Sequence, residues 1–503
     1  MKLRDVVTPP ERAAAYLEAG SWDDTTLAGQ VADHAATAPD AIAVVDAQGR
    51  HSYGQLARDA GAFAAHLARN GVHAGDVVSI QLPNRYETVV AAVGVLSLTG
   101  VVNPLLPNYR QRELAHVFAT AEPAAIVTPD TELLADVVKA TGVSPFPVGL
   151  DDILGHPDAP LGRGEAGAVS EVIFTSGTEA TPKAIMHTER TAGFSVRVAY
   201  GDMGITPRDV VWMPSPVGHS TGFNYGLRFA LHHGLELVLQ DKWDADVAID
   251  LIEAERCSYT LAATTFLQDL VNAARRRGTT LDTMRCFGCG GAPVPPDLVR
   301  AAEAVGIRVL RLYGSTEVLV ATWNRPDSPE HERFNTDGVA MSHVELRVES
   351  DGELHTRGPN TCVGFFADPD RTAATFHDGW VRSGDLVTID EDGYLTVVGR
   401  KKEIIIRGGM NIAPREIEEL LVAFPEVQRA AVVGVPDERL GERMCACLVL
   451  EPGHTIDFDT MVERLRATGL ATFKLPQRLE IMDALPTTAS GKVQKHEIVK
   501  ALV

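Results

Sequence analysis

Six short apolar runs stand along the chain: VVSIQL (77–82), AAIVT (124–128), EVIFTS (171–176), DVVWMP (209–214), ELVLQ (236–240) and RVLRLYG (308–314). Helix-like patterns such as ADVAIDLIEAE (245–255) and PPDLVRAAEAV (295–305) lie between them. This alternation constrains the fold more than any other feature. Continuous apolar runs are strands buried on both faces, and each crossover between parallel strands needs a helix, so the expected result is largely parallel sheets covered on both sides. Ser52-x-x-Gln55 has the form of a capping box, and Leu56, Ala60, Phe63, Ala64 and Leu67 then recur at helical spacing until Gly71, predicting an amphipathic helix. The uncharged stretch 88–109 contains Asn103, Pro104, Pro107 and Asn108. Its apolar part is shorter than the ~20 residues of a membrane helix, and it reads as buried helix and loop.

From about Val344 the texture changes to short, polar-alternating strands with Asp351-Gly352, Asp378-Gly379 and Asp392-Gly393 turns, which predicts an antiparallel part. After GRKKEIII (399–406) come Gly408 and Gly409, a helix opened by Pro414, the strands QRAAVVGV and MCACLVL, and a helix around MVERLRA. That final stretch suffices for a small α+β domain, with the junction at Arg400 to Lys402. The fold class expected is therefore α/β, a large N-terminal domain of mainly parallel sheets plus an antiparallel part, followed by a small α+β domain. A chain of 503 residues is about three times a ~150-residue domain, which excludes a single small binding module.

Lys and Arg number 46 against 67 Asp and Glu, a net charge of −21, so the field repels phosphate backbones and no nucleic-acid partner is expected. An anionic ligand needs a local pocket of donors. The N-terminus carries no export signal, and six cysteines in a chain this long make no disulfide framework, pointing to a reducing, cytoplasmic setting. Cys286-x-x-Cys289 has no second pair at zinc-finger spacing and reads as structural.

Four segments carry chemistry. Phe174-Thr175-Ser176-Gly177-Thr178-Glu179-Ala180-Thr181-Pro182-Lys183 follows a strand with short hydroxyl donors and open backbone amides, as phosphate oxygens require. Tyr313-Gly314-Ser315-Thr316-Glu317 ends an apolar strand, where an α/β sheet places a ligand crevice. It offers an aromatic ring for a base, a hydroxyl for a phosphate and a carboxylate for Mg²⁺. Ser383-Gly384-Asp385 offers a carboxylate to ribose hydroxyls, and Pro486-Thr-Thr-Ala-Ser-Gly-Lys492 carries a lysine at its tip. Taken singly, each also reads as an ordinary turn or a solvated lysine.

In this order the four motifs resemble the AMP-forming acyl- and aryl-CoA ligases and related adenylating enzymes, over about residues 25–500. The resemblance implies an N-terminal domain 1–399, a mobile C-terminal domain 400–503 and a hinge at Lys402. It implies ATP (or AMP carried as an acyl-adenylate), coenzyme A and Mg²⁺ as ligands, with a carboxylic acid as substrate. By resemblance, Tyr313 stacks on adenine, Thr316 contacts phosphate, Glu317 serves Mg²⁺, Asp385 and Arg400 hold the ribose, and Lys492 bridges carboxylate and α-phosphate. Gly408 and Gly409 match the glycines beside the pantetheine arm. His219 matches the residue between acyl site and CoA tunnel, and Gly290, Gly291, Ala292 and Pro293 match the acyl and adenine wall. Gly226, Gly288, Cys289 and Gly290 are acyl-pocket candidates whose small size leaves room for a bulky ring.

The phosphate loop departs from the family's usual Thr-Ser-Gly-Thr-Thr-Gly-x-Pro-Lys-Gly: Glu179 replaces a Thr, Ala180 a Gly and Ala184 the last Gly. A carboxylate beside β- and γ-phosphates costs about 1–4 kcal/mol at contact distance for effective dielectrics of ~80 to ~20. Ala180 adds a methyl where backbone must approach the ligand. These changes point to a ligase whose adenylation half-reaction is weakened or lost, so that thioesterification of an acyl-adenylate, delivered if need be by a separate adenylating enzyme, dominates. The alternatives are a complete two-step ligase for medium-chain or alicyclic acids, acyl loading of a carrier protein, and a non-catalytic nucleotide-binding paralogue. No Asp stands in PSPVGHSTGF (214–223) to meet a substrate amine, so a neutral organic acid is expected.

Overall fold

The computed structural model describes residues 8–175, 182–407, 410–437, 439–488 and 492–503. They form two compact units. The first draws on residues up to 175, 182–346 and 356–381, and the second gathers 347–355 with 382–503.

Two largely parallel sheets build the first unit, as the alternation of runs and helices predicts. A nine-stranded sheet runs in the order Val339–Ala340, Leu319–Trp323, Val309–Ser315, Cys286–Gly290, Tyr259–Ala262, Val210–Met213, Glu236–Leu239, Ile42–Asp46 and Gly49–Ser52. Its pairs are parallel from Val309–Ser315 across to Ile42–Asp46, and antiparallel strands close both edges. One face packs on helices through Trp212, Phe287, Leu267, Val271 and Leu298. A six-stranded sheet has the order Phe146–Val148, Ala125–Val127, Val77–Ile80, Val101–Pro104, Val169–Phe174 and Ala184–Thr188.

The capped helix forms over Tyr53–Arg69, with Ser52 Oγ accepting from the Gln55 amide at 3.2 Å. Stretch 88–109 differs from its sequence reading. A wholly buried helix, Tyr86–Ser97, is followed by the strand Val101–Pro104 where a loop was expected. Asn103 conceals that strand, since its polar side chain interrupts the apolar run. In the fold both ends of its amide are bonded, Oδ1 accepting from Ser79 Oγ at 2.9 Å and Nδ2 donating to the Val172 carbonyl at 2.7 Å.

The Asp-Gly turns also form, with Gly352, Gly379 and Gly393 at φ +86°, +76° and +86°. In the second unit, Pro414 starts the helix Pro414–Val422. That helix packs with Val432, Met444, Leu448 and Met461 on a sheet ordered Met410–Ile412, Ile405–Arg407, Gly441–Leu450 and Val427–Asp437, with Arg478–Ile481 pairing Gly441–Leu450. Half-buried Lys495 lies between Glu403 (2.7 Å) and Glu418 (2.8 Å), which joins the last helix to the turn Lys401–Glu403. Among the described residues no helix is long and apolar enough to cross a membrane.

One charge sits at the centre of the first unit. Arg228 is completely buried, donating to Glu171 at 3.0 Å and Glu189 at 2.8 Å, while its Nε reaches Asn224 Oδ1 at 3.1 Å. Removing one partner from such a cluster leaves uncompensated buried charge. Arg228→Met is therefore expected to lower the unfolding free energy by about 3–5 kcal/mol, read from urea denaturation. Adding Glu171→Gln and Glu189→Gln recovers part of that loss.

Candidate active site

The strand Val169–Phe174 delivers Thr175 to the start of the hydroxyl-rich loop, and the strand Ala184–Thr188 takes over after Lys183. The two stems are tied together: the Thr175 amide donates to the Lys183 carbonyl at 2.9 Å, and the Lys183 amide to Thr175 Oγ1 at 3.3 Å. Ser176, Gly177, Thr178, Glu179 and Ala180 lie outside the described residues, as do Gly408 and Gly409. Lys183 Nζ stands 3.7 Å from Glu317 Oε1, which brings two of the predicted motifs together.

Glu317 sits in a tight hairpin between Val309–Ser315 and Leu319–Trp323. Ser315 pairs with Leu319, and the register shifts between Tyr313 and Gly314. A β-carbon on Gly314 would lie 2.0 Å from the Leu319 carbonyl oxygen, so only glycine lets the strands approach this closely. Leu319 itself takes φ +53°, an uncommon conformation for a branched apolar residue. Bulge and outlier together aim Ser315, Thr316 and Glu317 into a half-buried position at the strand's carboxyl end. Tyr313 is buried beside them.

Gly290, last residue of its strand, pairs with Leu312, and its missing β-carbon would meet the Leu312 carbonyl oxygen at 2.4 Å. Gly290 therefore lies one register step from Tyr313, with Gly291, Ala292 and Pro293 exposed beyond it. Gly288 shares a face with Gly290, whereas Cys289 points the other way into the helix-covered core and does not join them. Cys286 and Cys289 also diverge, Cys286 Sγ towards Met203 Sδ (3.5 Å) and Cys289 Sγ towards Thr264 Oγ1 (3.9 Å). Burial pushes both thiols up to about 12. Gly226 lies in a π-helical turn, Phe223–Arg228, and half-buried His219 caps the short helix before it, its Nδ1 accepting from the Thr221 amide at 3.2 Å.

In the second unit Asp385 and Arg400 are antiparallel partners, with Arg400 Nε 2.9 Å from Asp385 Oδ1. Asp385 is buried and Arg400 half-exposed. The Ser383 hydroxyl accepts from the Asp385 amide at 3.0 Å, fixing the Ser-Gly-Asp turn. Lys402 is exposed on the turn after Arg400. The Lys492 carbonyl accepts from the Thr488 amide at 2.7 Å.

Sequence reasoning missed the groups that hold these motifs. His187 is fully buried; its Nε2 donates to the Thr316 carbonyl at 2.8 Å, which leaves Nδ1 to accept from Thr191 Oγ1 at 3.1 Å. Tyr225 accepts from the Val320 amide at 2.9 Å and bonds Ser195 Oγ at 2.6 Å. The available signal was a charged or titratable residue inside a mainly apolar run, Arg228 in FNYGLRFAL and His187 in AIMHT.

Residues 31–366 match the family described as AMP-binding enzyme, and 416–492 its C-terminal domain. The chain is 35% identical to a medium-chain fatty-acid–CoA ligase of Escherichia coli (strain K12), covering 98% of this chain and 93% of the relative. It is 32% identical to the 3-[(3aS,4S,7aS)-7a-methyl-1,5-dioxo-octahydro-1H-inden-4-yl]propanoyl:CoA ligase of Rhodococcus jostii (strain RHA1), covering 90% and 94%. Among solved structures, ATP-bound MatB from Rhodopseudomonas palustris superposes with a TM-score of 0.87 at 29% identity, covering 95% of this chain and 99% of that one.

The hairpin's anchor titrates in a predictable direction. Burial holds the His187 imidazole neutral, with its pKa below the ordinary 6.5. As pH falls through about 6.5 the unfolded chain takes up a proton that the native state refuses, so native stability declines from there downward. His187→Asn is expected to flatten part of the fall in urea midpoint between pH 7 and pH 5, and parallel slopes would contradict this.

Proposed function

This chain belongs to the AMP-binding enzyme family, as an acyl-CoA ligase of the AMP-forming type, and from that premise we propose that it joins a neutral carboxylic acid to coenzyme A with adenylation as its weak half-reaction. The observation that carries the reading is the pair Glu179 and Ala180 in the phosphate loop, beside motifs that keep Tyr313, Thr316, Asp385, Arg400 and Lys492. In the first half-reaction a carboxylate oxygen attacks the α-phosphorus of ATP and pyrophosphate leaves. In the second, the CoA thiol attacks the acyl carbonyl and AMP leaves. Only the first needs the β- and γ-phosphates bound, and there Glu179 adds like-charge repulsion.

The roles follow the motifs. Tyr313 lies against adenine, the Gly290–Pro293 stretch walls base and acyl group, and Thr316 donates to phosphate. Asp385, already oriented by Arg400 at 2.9 Å, keeps lone pairs for the ribose hydroxyls. Lys492 neutralises charge that builds between carboxylate and α-phosphate. Lys183 offers a second cation to the phosphates from its place 3.7 Å from Glu317. Gly408 and Gly409 give the pantetheine arm bare backbone, Lys402 is the hinge, and His219 separates acyl group from thiol.

Among the described residues no cluster of three or more His, Cys, Asp or Glu holds a metal. Mg²⁺ ordinarily arrives on nucleotide phosphates and needs only one or two protein carboxylates, which Glu317 fits. When bound, the ion offsets negative charge on the phosphates. Gly226, Gly288 and Gly290 remain the acyl-pocket candidates, and the apolar surroundings of Gly226 and Gly288 suit a neutral acid. Six free, buried cysteines accord with a reducing, cytoplasmic setting.

A second reading, the complete two-step ligase, is favoured by the full-length likeness to the medium-chain ligase. The readings separate in one comparison on a panel of medium-chain, aromatic and polycyclic acids: pyrophosphate release from acid plus MgATP, and AMP release from synthetic acyl-adenylate plus CoA. Faster thioesterification, and a gain of about tenfold or more in pyrophosphate release on Glu179→Thr with Ala180→Gly, is the expected outcome. Comparable rates, unchanged in the double variant, establish the complete ligase and would need no separate adenylating partner. Lys492→Ala is expected to cut adenylation at least ~100-fold while thioesterification of a supplied adenylate changes only a few-fold.

A further inference from the structure

Alternation along parallel strands sorts side chains onto two faces. Trp212, Ala262, Phe287, Cys289 and Val309 enter the helix-covered core of the nine-stranded sheet. Met213, Tyr259, Leu261, Gly288 and Leu312 therefore share the opposite face. Val211 stands in register with Tyr259, Tyr259 with Cys286, and Leu261 with Gly288, so that this row runs unbroken across neighbouring strands.

Large flexible side chains lean over missing ones along this row. A β-carbon on Gly226, in the π-helical turn, would lie 2.6 Å from Met213 Cγ. One on Gly288 would lie 3.2 Å from Leu261 Cγ and 3.4 Å from Leu312 Cδ2. The room those glycines provide is thus filled by side chains that can change rotamer, Met213 above all, rather than by backbone.

Two residues before Leu261 on the same face, Tyr259 is fully buried, its ring stacked on Phe229 with centroids 4.5 Å apart. Its hydroxyl has no hydrogen-bond partner among the described residues. Burial pushes the phenol's pKa well above its usual 10, so it remains a donor throughout the working range. A buried donor left unpaired is costly and calls for an explanation. From Gly290 to Cys286, the register partner of Tyr259, the strand advances about 13 Å at ~3.3 Å per residue. That distance suits a medium-chain or fused-ring acyl group lying along the row.

Resting on the ligase reading above, we infer that the acyl group lies along this face by displacing the Met213 side chain, and that the Tyr259 hydroxyl donates a hydrogen bond to an oxygen at its far end. The substrate class is then a neutral, apolar acid bearing a keto or similar acceptor oxygen remote from its carboxylate. Gly226 and Gly288 set the pocket's width, Met213 its depth, and Tyr259 its preference among acids of equal length.

The test supplies preformed adenylates with CoA, so that weak adenylation cannot hide the result. Decanoyl-adenylate is compared with its 7-, 8- and 9-oxo counterparts, thioester being confirmed by mass spectrometry. The full chain is expected to prefer at least one oxo compound by ~10-fold or more in kcat/KM. Tyr259→Phe, which removes an atom that has no partner among the described residues, is expected to abolish that preference through a fall in kcat/KM for the oxo compounds. Met213→Ala is expected to lower KM for longer or bulkier acyl groups. Thioester formation with no oxo preference, or with one that Tyr259→Phe leaves intact, overturns the inference. Absence of thioester from every adenylate refutes the ligase reading itself and the inference with it.

Discussion

The guanidinium of Arg228, fully enclosed between Glu171 and Glu189, is the interaction on which the rest of the first unit depends. Burial alone pulls its pKa down, and the two carboxylates more than reverse this. The cluster is an expensive way to gain stability, since desolvating three charges offsets much of their attraction. Its value is geometric. Glu171 belongs to the strand that leads into the phosphate loop, Glu189 to the helix after that loop, and Arg228 to the π-helical turn beside Gly226. One charge cluster thereby sets the strand before the hydroxyl-rich loop, the helix after it and the π-helical turn relative to each other. Glu189 Oε2 also accepts from the Leu27 amide at 2.7 Å, extending the tie to an N-terminal helix.

Around this anchor, the site is built mainly by backbone. The close approach at Gly314, the positive φ of Leu319 and the bond from His187 to the Thr316 carbonyl fix the backbone of the hairpin. Strain of this kind survives only where surrounding contacts over-determine it. Here a buried imidazole and the buried phenol of Tyr225 supply those contacts. The same economy governs Gly226 and Gly288, where missing side chains leave room that Met213, Leu261 and Leu312 fill.

Electrostatics divide the chemistry. A net charge of −21 disfavours polyanions in general, so binding an anionic nucleotide relies on local donors. Lys183 already shares its charge with Glu317 at 3.7 Å, and on the function proposed above Glu179 subtracts further from what a triphosphate would meet. An acyl-adenylate carries only one phosphate and asks less of that corner. Asp385 and Arg400, by contrast, are held to each other as strand partners, with Arg400 Nε 2.9 Å from Asp385 Oδ1.

The sequence by itself determined whatever depends on local pattern. Alternating apolar runs yielded the parallel sheets, Asp-Gly dipeptides the tight turns, Pro414 a helix start, and four ordered motifs the family. These features are local because hydrophobic period and backbone conformational preference act within a few residues. Tertiary structure alone decided the rest. Asn103 became a strand residue because Ser79 and the Val172 carbonyl, distant in sequence, satisfy its amide. Cys289 left the company of Gly288 and Gly290 because a strand turns successive side chains to opposite faces, and only the packed sheet shows which face is core. Arg228 and His187 look like interruptions of apolar runs until the fold supplies their partners. A buried polar group is stable only with a partner, and the chain's path, not its neighbours in sequence, brings that partner near.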